Sequence, residues 1–384
     1  MFKRTMIAAS LAVAALASGQ SMAAVVGGGS SLAYNLYTTP GVLTAGFDTY
    51  SSVGSGNGKA GFLNNDVSKI NSAAKSWPAG TTVDYAGSDS VLSQAELTAY
   101  NTVTDANGLT NAQKWGPLIQ VPSAITSVTV PYKLTLANGT AVTDLNLTTA
   151  QLCSIFSGTT TSWDQIDAAY PATPIKVFYR DGSSGTSEIF TRHLNTQCGA
   201  QITVSSTFAN AVVGGVPANA TAVALSPDMA KAATTTEGGI GYVGPEDVDA
   251  TNNAVVARVN GILPTVGNVQ TALSTIAPPT GADVTDPSKW APVLPAPASG
   301  YPIIAYTNLI FGQCYQDATE AGQVRTFLNR HYGNFVNNDA AITAQKLIPL
   351  NTAWKNAVRN TFAVTSSAQS INDANTCNGI GRPL

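Results

Sequence analysis

Arg180-Asp181-Gly182-Ser183-Ser184-Gly185-Thr186 is the segment of this chain best equipped for chemistry. A guanidinium offers a planar fork of donors that suits an oxyanion. Ser184 and Thr186 add hydroxyls, and Gly185 leaves its N–H unobstructed. Ile175 to Tyr179 reads as a strand before it, and Ile189, Phe190 and Leu194 as one face of a helix after it. Strand, arginine, glycine-serine turn and helix start together make a coherent anion site. The plainer alternative is a capped turn with a surface arginine. A nucleophile elbow does not fit, because the closing glycine of G-x-S-x-G is missing and no Ser, Asp, His order accompanies it.

Three further segments have the types for anion binding. Gly27-Gly28-Gly29-Ser30-Ser31-Leu32 is a glycine-rich turn before a helix expected near Ser31. Gly54-Ser55-Gly56-Asn57-Gly58 reads as a second helix start with Ser55 as cap. Its Gly56-x-Gly58-x-x-Gly61 spacing matches the dinucleotide fingerprint. The preceding Thr49 to Val53 is too polar for the buried strand that fingerprint requires. It is not a P-loop either, since Lys59 is followed by Ala60. Asp84-Tyr85-Ala86-Gly87-Ser88-Asp89 closes a strand, where an acid either caps the next segment or meets a ligand.

The elements that must hold these segments alternate between short β-branched runs and helical patterns, an α/β signature. Strands are expected at Thr82 to Ala86, Pro117 to Val121, Ser127 to Val130, Ile175 to Tyr179, Gly241 to Val243 and Ile303 to Tyr306. Thr148 to Gln151 forms a capping box before Leu152, Ile155 and Phe156. Ser226-Pro227-Asp228 reads as a cap with proline at the first helical position. Val324, Phe327, Leu328 and His331 form a stripe stopped by Gly333, and Pro278 to Pro302 reads as irregular chain.

Composition narrows the functions. The chain has 384 residues, 44% hydrophobic and 11% charged, with 19 Lys+Arg against 22 Asp+Glu for a net −3. That excludes a basic nucleic-acid-binding surface as the main role. Two histidines argue against a multi-histidine metal site, and no cofactor is expected. Residues 1–23 read as a secretory signal: Lys3 and Arg4, an apolar stretch from Met6 to Ala17, then Ser21-Met22-Ala23 before Ala24. The apolar stretch is about 12 residues, short of the roughly 20 a membrane span needs. No cysteine stands at the cleavage site, so no lipid anchor is expected. Loss of Lys3 and Arg4 takes the charge from −3 to −5.

Export makes the cysteines readable. Cys153, Cys198, Cys314 and Cys377 are an even set for an oxidising compartment. They allow three connectivities. Sequence neighbours are expected to pair, Cys153 with Cys198 and Cys314 with Cys377. A zinc site lacks its Cys-x-x-Cys pair.

Taken in order, the four polar segments resemble the PstS-like phosphate-binding proteins of bacterial ABC transporters, and especially their DING-type relatives. The resemblance rests on Gly27 to Leu32, Gly54 to Gly58, Gly87 to Asp89 and Arg180 to Thr186. Leu147 to Trp163 and Gly238 to Val243 add to it. The chain departs from the pattern at Ala24-Val25-Val26, at Ser30-Ser31, and at Asp181, an acid one residue early in the arginine loop.

The resemblance implies the type II fold of periplasmic binding proteins, in which two α/β lobes joined by crossing hinge strands hold a ligand in the cleft. Lobe one would be residues 24–131 plus 302–384, and lobe two 132–301. Inorganic phosphate would meet Ser31 and the Leu32 N–H, Ser55, Asp89, Arg180, Ser184, Gly185 and Thr186. Asp89 would accept a proton that phosphate keeps and sulfate lacks. The implied product is an exported monomer, periplasmic or secreted, serving phosphate uptake through an ABC permease. The rival expectations are a secreted phosphatase-like DING protein and an extracellular surface or adhesion protein keeping the fold. His193 and His331 sit on apolar helix stripes and read as core-edge residues rather than catalytic ones.

Overall fold

The computed structural model describes residues 24–273 and 276–384; the expected leader, residues 1–23, lies outside the described residues. The strands are β1 (Gly27–Gly29), β2 (Ser51–Ser52), β3 (Tyr85–Ser88), β4 (Leu118–Ser127), β5 (Asn146–Leu147), β6 (Lys176–Arg180), β7 (Ala220–Val223), β8 (Gly239–Ile240), β9 (Arg258–Val259) and β10 (Ile304–Gly312). They form two principal sheets. The first has the order β2-β1-β3-β10-β4, and the second the order β7-β6-β8. Strands β5 and β9 make a small parallel pair. This is the two-lobed α/β architecture expected from the sequence.

Within the first sheet β2, β1 and β3 run parallel, with Gly28 beside Ser51 and Gly29 beside Gly87. Strand β10 is antiparallel to both β3 and β4. Strand β4 is buried along its whole length, so its run of apolar and small residues shows no alternation. Pro122 cannot donate to the ladder, and the register with β10 shifts beside it, pairing Asn308 with Pro122 but Thr307 with Ala124. The skipped residue is Ser123. Its hydroxyl accepts from Tyr37 at 2.7 Å and lies 2.9 Å from Nε2 of His331. His331 is thus a core residue, as its helical stripe suggested.

The second sheet is all parallel, with β6 between β7 and β8. The chain reaches it along Val128 to Tyr132, through bridges Thr129–Val243 and Tyr132–Ile240. The returning chain runs alongside, where Val128 N–H donates to the Ile303 carbonyl at 2.8 Å and the Tyr301 hydroxyl to the Val128 carbonyl at 2.9 Å. Behind β6, Phe190 stacks on Tyr242 at 4.6 Å and Phe156 meets Phe190 edge-on at 4.7 Å. Cys153 bonds to Cys198 and Cys314 to Cys377, the expected pairing. Among the described residues no helix is long and apolar enough to cross a membrane.

Local signals hold at Thr148, which closes a capping box with Gln151, and at Ser184, which caps the helix Gly185–Cys198. Others shift. The helix after the first glycine turn begins at Tyr34 rather than near Ser31, and the next is capped by Gly54 rather than Ser55. The helix Ser226–Thr235 is entered from Leu225, whose N–H donates to the Asp228 carboxylate at 3.2 Å. The expected strand Gly241 to Val243 ends earlier, at Ile240, and Val243 makes an isolated bridge.

Candidate functional site

Open α/β sheets gather ligand groups at the carboxyl ends of parallel strands, where following helices begin. Here Ser30 and Ser31 follow β1, Gly54 and Ser55 follow β2, and Asp89 follows β3; Arg180 ends β6 and Ser226 follows β7. The two sheets bring these ends face to face.

Arg180 is buried, with 3% of its surface exposed, which decides its chemistry: a guanidinium in that position needs fixed partners. Its Nε donates to the Ala224 carbonyl at 3.0 Å. Its Nη1 donates to Ser31 Oγ at 3.0 Å and to Ser226 Oγ at 3.2 Å. Its backbone N–H donates to the Tyr242 hydroxyl at 3.1 Å, itself 2.7 Å from Ser187 Oγ. Burial pulls the Arg180 pKa down, while Tyr242 and Asp89 act to keep it charged. Asp181 is exposed, so the side chain is oriented by Ala224 and Ser226 instead.

Asp89 is the opposing charge. Its Oδ2 accepts from Ser30 at 2.5 Å and Ser55 at 3.3 Å, and its backbone N–H donates to Ser55 Oγ at 3.0 Å. Its Oδ1 is buried without a hydrogen-bond partner. Burial raises the Asp89 pKa; Ser30, Thr307, Ser55 and the Arg180 charge oppose that rise. Arg180 and Asp89 are thus coupled through adjacent serines, Ser31 on one and Ser30 on the other.

The helix start at Gly185 presses directly on this cluster. A Cβ on Gly185 would lie 2.6 Å from Asp89 Cβ, 2.6 Å from Ser55 Oγ and 2.7 Å from the Ser90 nitrogen. A Cβ on Gly56 would lie 2.0 Å from Ser183 Oγ. The glycines let the arginine loop and the first sheet's turns meet at backbone distance. Ser184 and Thr186 are buried at the same helix start. Ser184 Oγ is occupied by the Ser187 N–H at 3.4 Å. Leu32 sends its side chain into the core, so any role at the site falls to its backbone.

The structure therefore brings Ser31, Ser55, Asp89, Arg180 and Gly185 into one packed cluster, with Thr186 buried at the same helix start. Sequence reasoning did not assign Ser30, Ser226 or Tyr242 to the site. Ser226 carried a usable signal, since it opens a helix just after a strand, as the assigned segments do. Tyr242 carried none, because its contact with Arg180 depends on how β8 lies against β6. The histidines are elsewhere. His193 lies between the Thr149 hydroxyl at 3.0 Å and the Pro295 carbonyl at 3.1 Å. Among the described residues no cluster of His, Cys, Asp and Glu is arranged to hold a metal.

Residues 14–329 match a family profile described as a PBP superfamily domain. The chain is 49% identical over 390 residues to alkaline phosphatase L of Pseudomonas aeruginosa, covering 100% of both. It is 42% identical to a phosphate-binding protein from an unknown prokaryotic organism, over 93% of this chain and 99% of that protein. Among solved structures it resembles a high-affinity periplasmic phosphate-binding protein (PfluDING) bound with phosphate. The TM-score is 0.85 at 42% identity, covering 94% of this chain and 100% of that one.

Proposed function

Because this chain belongs to the PBP superfamily, among its DING and PstS-like phosphate-binding members, we propose that it captures inorganic phosphate between its two lobes. The observation that carries this reading is the buried pairing of Arg180 with Asp89 through neighbouring serines of one turn. Arg180 supplies charge-assisted donors, while Ser31, Ser55 and the backbone around Gly185 supply neutral ones. Ser184, Thr186 and the Leu32 N–H complete the proposed shell.

Lobe one comprises residues 24–131 and 302–384, and lobe two 132–301. The neighbouring crossings at Val128 to Tyr132 and Tyr301 to Ile303, which run in opposite directions, form the hinge in this reading. Closure follows from a ligand that binds the shut form better than the open one. The exported protein acts as a monomer in the periplasm or beyond it and delivers phosphate to an ABC permease. Phosphate ester hydrolysis is the second reading, favoured by the relative named alkaline phosphatase L. We rank it below binding because the structural neighbour is a binding protein and both histidines are engaged in core contacts.

Isothermal titration of ligand-stripped protein with phosphate, sulfate and arsenate tests the binding reading. Phosphate is expected to bind at micromolar Kd or tighter, about −8 kcal/mol or better, and sulfate far more weakly. Arg180→Ala is expected to abolish tight binding. Unchanged phosphate affinity in that variant would show that the ion sits elsewhere. Release of 4-nitrophenol from its phosphate ester by the purified protein would favour the second reading.

A further inference from the structure

Irregular chain rich in proline, glycine and alanine usually runs loosely over a surface. The segment from Ile276 to Tyr301 does not. By sequence order it falls within the second lobe, yet its first part is docked on the first. Trp290 is buried, its ring edge-on to Phe362 at 4.8 Å and to Trp354 at 6.3 Å. Its indole Nε1 donates to the Val284 carbonyl at 3.0 Å, and Trp354 Nε1 donates to the Ile276 carbonyl at 3.1 Å. From β4, Gln120 Nε2 donates to the Pro287 carbonyl at 3.2 Å.

A few residues later the same chain is held by the other lobe. His193 lies on the helix Gly185–Cys198, which opens at the anion cluster, and its Nδ1 is 3.1 Å from the Pro295 carbonyl. Burial lowers the His193 pKa and keeps the ring neutral. A carbonyl can only accept, so Nδ1 carries the proton and Nε2 accepts from the Thr149 hydroxyl at 3.0 Å. Further on, the Tyr301 N–H donates to the Asn268 carbonyl at 3.0 Å. Between the anchors, Pro292 and Leu294 share a gap of about 10 Å³ with Asp89 of the first lobe and with Ile189 and Arg192 of the second. That gap is no larger than a single water needs.

The length of this link sets what it can do. Trp290 to Pro295 is five residues, a reach of at most about 17 Å. Pro292 and Pro295 fix their own φ, and Ala291 and Leu294 before them are pushed to extended backbone. The link is therefore drawn out, with little slack. Hinge crossings let two lobes rotate; a short link with an anchor on each lobe limits how far. We propose that residues 290–295 are a tether that limits opening of the cleft and so keeps the phosphate-free protein near the shape that binds. The proposal rests on the reading of a phosphate site closed by two lobes, and deepens it. Apparent affinity scales with the fraction of molecules in the competent shape, so a tether that raises this fraction strengthens binding without touching the ion.

Small-angle X-ray scattering and titration calorimetry with inorganic phosphate, on the same samples, test it. Insertion of Gly-Ser-Gly-Ser between Val293 and Leu294 lengthens the link and leaves both anchors in place. His193→Phe frees the second anchor and keeps the length of the link. Both variants are expected to show a larger radius of gyration than wild type without phosphate, to match wild type once phosphate is bound, and to bind phosphate at least threefold more weakly. The same insertion between Asn138 and Gly139, in an exposed loop, is expected to change neither quantity. Unchanged phosphate-free scattering in both variants would overturn the tether, whether or not affinity moves, as would an equal expansion from the insertion at Asn138. Wild type that binds no phosphate would overturn the reading beneath it, and the phosphate-free scattering would still decide the tether.

Discussion

A carboxylate aimed at an anion costs affinity unless the anion brings a proton, and in the proposed site Asp89 would make that distinction. Its Oδ2 is satisfied by Ser30 and Ser55, while Oδ1 has no hydrogen bond of normal geometry. Phosphate near neutral pH retains a proton that it can donate there. Sulfate would set lone pair against lone pair in a buried site, a mismatch able to reject an analogue by about 10⁴-fold. Asp89→Asn replaces the acceptor with an amide that can donate. The ratio of sulfate to phosphate Kd in titration calorimetry is expected to fall at least tenfold; an unchanged ratio would remove Asp89 from the selectivity. His331 makes a second residue-scale prediction, about stability. Burial lowers its pKa from 6.5 to about 4. Neutral in the fold, it lies beside the Ser123 hydroxyl and carbonyl on one side and the Asn338 amide on the other. The unfolded chain takes up the proton below pH 6.5 and the folded chain only near pH 4, so stability falls as pH drops through that window and the loss levels off below it. The full effect is about 3 kcal/mol. The difference in melting temperature between wild type and His331→Gln, followed from pH 8 to 4, should change between pH 6.5 and 4; a constant difference would refute the assignment.

At the scale of elements, the site depends on helix starts set against strand ends with no side chain between them. Gly185 is the tightest such point, since a methyl group there would strike Asp89, Ser55 and the Ser90 nitrogen together. Gly185→Ala sits at a helix start, where alanine is well tolerated, so the cost falls on the meeting of the two lobes. Phosphate affinity is expected to drop at least tenfold while the melting temperature without ligand stays within about 3 °C, a shift worth about 1 kcal/mol. A variant that binds as well as wild type would show that the lobes need not approach this closely. The helix starts were legible in sequence where capping is local, as at Thr148 and Ser184, because an N-cap bonds within its own turn. They were misread where the hydroxyl is used at long range. Ser55 turns to Asp89 and Ser226 to Arg180, so their helices are entered from Gly54 and Leu225. The bulge at Ser123 was beyond local reading, because it exists only through the pairing of β4 with β10, which join distant parts of the chain.

For the whole molecule, two lobes, four polar turns and two disulfides could be read from the chain because each leaves a local or countable trace. The interlobe fit could not, since it depends on the angle between two sheets and on residues such as Tyr242. Both disulfides bear on how that fit can move. Cys153–Cys198 ties the helix Thr149–Phe156 to the end of the helix Gly185–Cys198, beside the second sheet. Cys314–Cys377 ties the chain just after β10 to the C-terminal segment, where Arg382 donates to the carbonyls of Val83 at 2.6 Å and Phe62 at 2.9 Å beside the first sheet. Neither bond links one principal sheet to the other, so neither should restrain a hinge at Val128 to Tyr132. The sequence separations of 45 and 63 residues correspond to about 4 kcal/mol each from restricting the unfolded chain. Replacing either pair by serines should therefore lower the denaturation midpoint by similar amounts and leave phosphate Kd within twofold. Denaturant titration and calorimetry on the same samples separate the two effects. A variant with normal stability but tenfold weaker binding would show that its disulfide shapes the cleft, and the lobe boundaries proposed here would have to move.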